Sequence, residues 1–295
     1  MTPKRKTFTG SINGQISIGQ CGNIIKDFSK LQTTSRFKRE VAFYQYCLST
    51  DNLHVPKLIE INYKNKIIKL EYIDSFNTSY ADDNYIENFA TFINTLNKPI
   101  HDEKLKKYAL NGEEACFSIQ DVAENCRCRL KSISIEGCDG KWLKLANKAF
   151  MMVGENNGQS SFGKICLNPS DNGVHNYLKT DDKCVFIDFE YAGLDSYYKI
   201  YYDFILHPAN KINDNNYHKI LDQFNSSING CRLVFDLYIY KLFCIWWLLR
   251  LINSTTEKSL DNRVRQGNLR QDERIDFKIM RLNTAQIFWE KIKNA

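Results

Sequence analysis

The sequence predicts an α+β fold in two lobes, a small β-rich N-terminal lobe over 1–75 and a larger helical C-terminal lobe over 76–295. Three observations carry this prediction. Short β-compatible runs, broken by turn residues, flank a single helical segment up to residue 75. From about Tyr80 onward the apolar residues recur mostly at helical spacing. One stretch, NPSDNGVHNYLKTDDKCVFIDFE from Asn168 to Glu190, interrupts the helices with a loop and a short apolar strand.

The elements follow in order. TFTGSINGQISIG, with Gly10, Gly14 and Gly19, reads as one or two short strands joined by turns. CGNIIKDF is a short apolar strand carrying Lys26. TTSRFKREVAFYQYCLST opens on cap-like Thr and Ser, and its Phe37, Val41, Tyr44 and Leu48 form a helical stripe; Glu40 lies on the same helix. HVPKLIEINYKNKIIKLEYID reads as two strands turning at Lys64–Asn65, and the lobe boundary falls near Ser75 to Asn77. NYIENFATFINTL, SIQDVAENCRCRLKSI and GKWLKLANKAFMMVG read as helices. KCVFIDF is a buried strand, after which helices resume from about Tyr197.

Composition narrows the class of function. A chain of 295 residues, 43% hydrophobic, supports a sizeable core or two lobes sharing a cleft. The net charge of +6 is mild and no dense basic patch is present, which argues against a nucleic-acid partner. The most apolar run, Val234 to Ile252, is interrupted by Asp236, Lys241 and Arg250. It therefore lacks the roughly 18–20 uncharged residues of a spanning helix, and reads as a buried core helix. Ten cysteines are scattered without a CxxC pair, and MTPKRKTFTG has no apolar signal segment. Reduced thiols and a cytoplasmic location are the expectation.

Asp171, Asn176 and Asp188 are the candidate chemical groups. Phosphoryl transfer asks for a cation to neutralise the triphosphate, a metal ion, and a carboxylate to take the acceptor's proton. Mg²⁺ prefers oxygen ligands and keeps waters, so one Asp and one Asn carbonyl suffice from the protein. Asp171 followed by Asn176 sets a base and a metal ligand on one tight loop. The apolar CVFI run then delivers Asp188 from a buried strand as a second ligand.

The wording PSDNGVHNYL…KCVFIDFEYAG resembles the catalytic and metal-binding segments of the aminoglycoside phosphotransferase and choline/ethanolamine kinase superfamily, whose fold is protein-kinase-like. The resemblance implies that Asp171 is the catalytic base, Asn176 a metal ligand and Asp188 the ligand of the principal Mg²⁺. It implies further that Lys26 contacts the α- and β-phosphates of ATP and pairs with Glu40. KLEYID resembles the hinge strand, which places Glu71, Tyr72 and Ile73 beside the adenine. Two features depart from the family pattern: Pro169 stands where the family has His, and the N-terminal glycines form no G-x-G-x-x-G loop.

Other residues receive blander readings. His175 reads as a hydrogen-bonding loop spacer, and Glu190 as either a second metal contact or a partner of its own backbone. Asp203 resembles the family's helix Asp that braces the catalytic loop. Tyr191, Tyr197, Tyr198, Tyr201, Tyr202, Trp246 and Trp247 read as core in preference to a cage for a quaternary ammonium. RQDERID, with Asp272, Glu273 and Asp276, reads as a solvated helix start. The expected function is ATP- and Mg²⁺-dependent transfer of the γ-phosphate to a hydroxyl of a small molecule, a sugar, amino alcohol or aminoglycoside. The alternative is a catalytically silent kinase-fold binding module.

Overall fold

Alternating burial builds the first sheet. β1 (Gln15–Ile18), β2 (Ile24–Asp27), β3 (Leu58–Asn62) and β4 (Ile67–Leu70) pair antiparallel in the order β1-β2-β4-β3. The computed structural model describes residues 15–19, 22–29, 34–76, 80–108, 110–153, 161–181, 183–227, 232–265 and 269–295. Gly10 and Gly14 of the expected N-terminal turns lie outside these residues. On β2, Ile24 and Lys26 share the buried face, and Lys26 stands opposite Ile16 and Ile68.

α1 (Ser35–Ser49) follows β2. Its inward stripe is Phe37, Glu40, Val41, Phe43, Tyr44 and Cys47, so the carboxylate of Glu40 travels with the apolar face. The Thr34 side chain makes no capping bond, contrary to the expected cap. Leu48, expected on the stripe, is 60% exposed, and Cys47 takes the inward position in the helix's last turn.

The next elements are α2 (Asp83–Leu96), α3 (Asp102–Tyr108), α4 (Ile119–Glu136) and α5 (Gly140–Val153). Asp82 caps α2 by accepting from the Tyr85 N–H at 2.7 Å. β5 (Ile165–Asn168), β6 (Tyr177–Lys179), β7 (Cys184–Phe186) and β8 (Gly193–Ser196) come next, β5 pairing with β8 and β6 with β7. β5 and β8 are additions to the sequence reading, each only four residues long. The remaining helices are α6 (Tyr197–Leu206), α7 (Tyr217–Ser227), α8 (Leu237–Asn253), α9 (Glu257–Arg265) and α10 (Arg274–Asn294).

The chain divides into two compact units. The first comprises 1–115 and 163–233, the second 116–162 and 234–295. The lobe boundary read near residue 75 lies inside the first unit, whose helices and strands share one aromatic core. There Phe43 of α1 stacks on Phe189 at 4.1 Å between centroids, Phe92 of α2 on Phe186 of β7 at 4.5 Å, and Phe89 of α2 on Phe204 of α6 at 4.5 Å. Rings in such offset contacts add to the burial energy of their surfaces.

The second unit is built around α8, which packs on α4, α5 and α10. Asp236 caps it by accepting from the Ile239 N–H at 2.9 Å, and residues from Tyr240 to Ile252 are buried on nearly every side. This confirms the core-helix reading; among the described residues no helix is long and apolar enough to cross a membrane. Tyr197, Tyr201 and Tyr202 in the first unit and Trp246 and Trp247 in the second are core residues, as expected. Asp272 and Glu273 sit in the turn that leads into α10, where the helix dipole favours negative charge. Every cysteine among the described residues is a free thiol.

Candidate active site

The buried face of β2 and the inward stripe of α1 bring Lys26 and Glu40 together. The Lys26 ammonium lies 2.6 and 2.7 Å from the two Glu40 oxygens and 2.7 Å from Oδ1 of Asp188. Glu40 is fully buried, and its carboxylate also accepts from the Phe189 N–H. Burial works against the charge on Lys26, but Asp188, Glu40 and Glu190 outweigh it and raise its pKa, so the ammonium stays protonated. Burial pushes the Glu40 carboxyl up to about 7, against the pull of Lys26.

Asp188 follows β7 with φ +70°, in the left-handed region that few non-glycine residues adopt and that aspartate tolerates better than most. The apolar strand holds one side of this turn and Lys26 the other. Glu190, two residues on, is 2% exposed; burial and then the Asp188 charge push its carboxyl up to about 8. Arg36 approaches Glu190 to 4.0 Å and lies over the Tyr191 ring at 4.7 Å.

The loop after β5 carries Asp171. Ser170 adopts φ +75° and its hydroxyl donates to the Tyr191 carbonyl at 2.8 Å, tying the loop to the segment after Asp188. A 3-10 turn over Val174–Asn176 follows. The Asn176 amide donates from Nδ2 to the Asp171 carbonyl at 3.1 Å, and the Ile187 N–H donates to the Asn176 carbonyl at 3.0 Å. Contacts thus run unbroken from Asp171 through Asn176 to the residue before Asp188, and from Asp188 through Lys26 to Glu40.

Two histidines face the Asp171 carboxylate. His207 Nε2 is 3.0 Å from Oδ1 and His175 Nε2 is 3.4 Å from Oδ2. Gly173 makes room for both rings: a Cβ there would lie 2.3 Å from His175 Cε1 and 2.5 Å from His207 Cε1. Burial pushes the Asp171 carboxyl up, but the hydrogen bonds of His175 and His207, with their charge when protonated, outweigh it. The carboxyl is held well below its ordinary value and stays ionised at neutral pH.

Asn210, fully buried, braces the loop. Its Oδ1 accepts from the Val174 N–H at 2.7 Å, and its Nδ2 donates to the carbonyls of Asn172 at 3.0 Å and Phe204 at 2.8 Å. The Tyr85 hydroxyl donates to the same Asn172 carbonyl at 3.0 Å. Asp203, expected to brace the loop, instead accepts from Lys199 at 3.4 Å, one helical turn earlier on α6. One oxygen meets that i,i+4 partner and the other is buried without a hydrogen bond, so the bracing role falls to Asn210 beyond the helix end.

Glu71, Tyr72 and Ile73 form the irregular segment after β4. The Glu71 N–H donates to the Lys57 carbonyl at 2.9 Å, and Tyr72 is 39% exposed. Ile73 packs with Leu178, Val185 and Ile187, on the hairpin that runs between Asn176 and Asp188. The structure therefore brings Lys26, Glu40, Asp171, Asn176 and Asp188 into one connected network, with Ile73 against its supporting hairpin. His207, Asn210, Tyr85 and Gly173 were not among the sequence candidates. Of these, only Gly173 lies within the loop that the sequence singles out.

No family model matches the sequence, and no curated protein matches it. Solved structures do. A choline/ethanolamine kinase family protein from Mesorhizobium loti shares 10% identity, with 100% of this chain and 94% of that chain covered at a TM-score of 0.62. A choline kinase from Streptococcus pneumoniae shares 13% identity, with 98% and 94% covered at 0.63. A spectinomycin phosphotransferase, solved in complex with ADP and spectinomycin, shares 12% identity, with 99% and 94% covered at 0.62. The likeness is one of fold: this chain has the kinase-like fold of choline kinases and aminoglycoside phosphotransferases.

Proposed function

We propose that this chain is an ATP- and Mg²⁺-dependent phosphotransferase that moves the γ-phosphate to a hydroxyl of a small molecule. The observation that carries this reading is the linked network, in which an ionised Asp171 stands on the same framework as the Lys26–Glu40 pair and Asp188. Phosphoryl transfer needs little covalent help from a protein and much positioning and charge. In this reading residues 1–75 hold the nucleotide and 76–295 supply the catalytic loop and the acceptor side.

The donor set fits Mg²⁺. Because the Asn176 Nδ2 is engaged by the Asp171 carbonyl, its Oδ1 is the atom left to face a ligand, and Asp188 adds a carboxylate. Both are hard oxygen donors of the kind Mg²⁺ takes beside phosphate and water. The bound ion would neutralise phosphate oxygens as charge develops on them. Lys26, fixed by both Glu40 oxygens, holds the α- and β-phosphates, while the segment Glu71 to Ile73 borders the adenine. Asp171 orients the acceptor hydroxyl and receives its proton as the new P–O bond forms and the bond to ADP breaks.

The acceptor belongs to the class of sugars, amino alcohols and aminoglycosides. A panel of these three classes with γ-labelled Mg-ATP is the test. Transfer to a member of the panel by wild type, lost in Asp171→Asn with ATP affinity retained, is the expected result. Undiminished transfer by Asp171→Asn would remove Asp171 from the mechanism. The catalytically silent alternative is not favoured, since the solved structures similar to this chain include small-molecule kinases.

A further inference from the structure

We propose that His207 is a positioning residue whose neutral imidazole donates from Nε2 to Oδ1 of Asp171, leaving Oδ2 as the oxygen that receives the acceptor's proton. The inference rests on the phosphotransferase reading of Asp171 and deepens it by dividing the work between the two carboxylate oxygens.

The far side of the ring fixes the proton. There the Ala209 N–H donates to Nδ1 of His207 at 3.2 Å. An amide N–H needs a lone pair to donate to, so Nδ1 carries no proton in this contact. A neutral imidazole then carries its single proton on Nε2. That nitrogen lies 3.0 Å from Oδ1 of Asp171, a good distance for N–H···O. The backbone that makes this possible is the end of α6. His207 is its C-cap, in extended conformation, and the following turn closes with the Asn210 N–H on the His207 carbonyl at 2.9 Å.

The two sides of the carboxylate differ in access. The His207 side chain is 10% exposed and bonds Oδ1 at 3.0 Å, whereas the His175 side chain is 49% exposed and makes the longer bond, 3.4 Å, to Oδ2. Oδ1 is therefore held by a buried ring at short range, and Oδ2 by an exposed ring at longer range that an arriving hydroxyl can displace. Fixing one oxygen removes the carboxylate's rotation and presets the other near the attacking hydroxyl.

The same proton placement bears on a different use of the cluster. The ligand atoms of Asp171, His175 and His207 lie within 4.8 Å of one another, a spacing suited to a zinc-type ion. A metal needs the Nε2 lone pair, and with Nδ1 accepting from Ala209 that nitrogen carries the proton instead. The geometry points to a held base in place of a metal centre.

Three chains test the proposal: wild type, His207→Gln, which keeps an N–H donor near the Nε2 position, and His207→Phe, which keeps the ring and removes the donor. The probe reactions are Mg-ATP hydrolysis with water as acceptor and Mg-ATP binding by calorimetry. The expected result is a fall in kcat of about 10- to 100-fold in His207→Phe, partly recovered in His207→Gln. The Kd for Mg-ATP stays within about twofold in all three. Unchanged turnover in His207→Phe, or a Gln variant no better than Phe, would overturn the proposal. Imidazole ¹⁵N spectra of the unmodified protein give a second readout, independent of activity and of whether His207→Phe folds. A neutral ring protonated on Nε2 upholds the proposal and one protonated on Nδ1 defeats it. A wild-type protein that neither binds nor hydrolyses Mg-ATP would count against the phosphotransferase reading, while the ring's tautomer would still decide the hydrogen-bond assignment.

Discussion

The Lys26 ammonium lies 2.7 Å from Oδ1 of Asp188, across 162 positions of sequence, while both oxygens of Glu40 hold it from the other side. One cation thus fastens a strand of the first sheet, the first helix and the turn after β7. Removing either member of a buried pair leaves the other charge in a low-dielectric site, which costs more than the pair itself contributes. Lys26→Met is expected to destabilise the fold by about 3–5 kcal/mol in urea unfolding. Adding Glu40→Gln to it should recover part of that loss, because the stranded carboxylate is gone. Simple additivity of the two changes would show that the pair is not coupled.

Asp188→Ala separates the metal role from the structural one. Lys26 keeps Glu40, so the fold is expected to survive with a modest loss of stability. Calorimetric titration with ATP should then lose its dependence on added Mg²⁺. An ATP affinity that still rises with Mg²⁺ as in wild type would take Asp188 out of the ligand set.

Gly173→Ala tests the packing of the two histidines. A Cβ in the place where it would meet both rings must push them off the Asp171 carboxylate. Their hydrogen bonds hold that group down against burial, so weakening them raises its pKa. The base works only when ionised, and activity therefore fails as pH falls through that pKa. The acid limb of the kcat profile for Mg-ATP hydrolysis is expected at higher pH in the variant than in wild type. A limb that stays in place would mean the rings do not set the ionisation of Asp171.

Asn210→Ala removes three bonds from the catalytic loop's support. The Val174 N–H loses its partner in a buried position, whereas the Asn172 carbonyl keeps the Tyr85 hydroxyl. A loss of about 2–4 kcal/mol is expected, counted as one stranded donor plus the lost bonds. Guanidinium unfolding measures it, and a change below about 0.5 kcal/mol would place the brace elsewhere.

Much of the fold was legible because its signals are local. Local signals put Lys26 on a strand and Glu40 on a helix, and the family resemblance implies their pairing; the structure turns both side chains inward. Asp171, Asn176 and Asp188 lie within one short stretch, and the apolar CVFI run announces a buried strand. What escaped was non-local or too short to have a period. His207 and Asn210 each reach their partners across 36 residues, and nothing in FILHPAN marks either as facing a loop so far away. β5 and β8 have four residues each, too few for alternation to stand out. The resemblance alone gives the bracing role to Asp203, whereas in the structure Asp203 meets Lys199 on its own helix and Asn210 bonds the loop.

The stacked rings of the first unit have a consequence for how damage would present. Phe43 belongs to the helix that carries Glu40, Phe186 and Phe189 bracket Asp188 in sequence, and Phe204 lies three residues before His207. The groups assigned to nucleotide, metal and base thus lean on one cluster of rings, three stacked pairs joined edge-on or tilted, with Phe89 and Phe92 as its middle. Hollowing out that middle, as in Phe89→Ala, is expected to cost about 3–5 kcal/mol. In whatever fraction remains folded, turnover should drop as well, although the substituted ring touches none of the reacting atoms. Sequence variation at these phenylalanines would accordingly masquerade as a defect of chemistry when its origin is masonry.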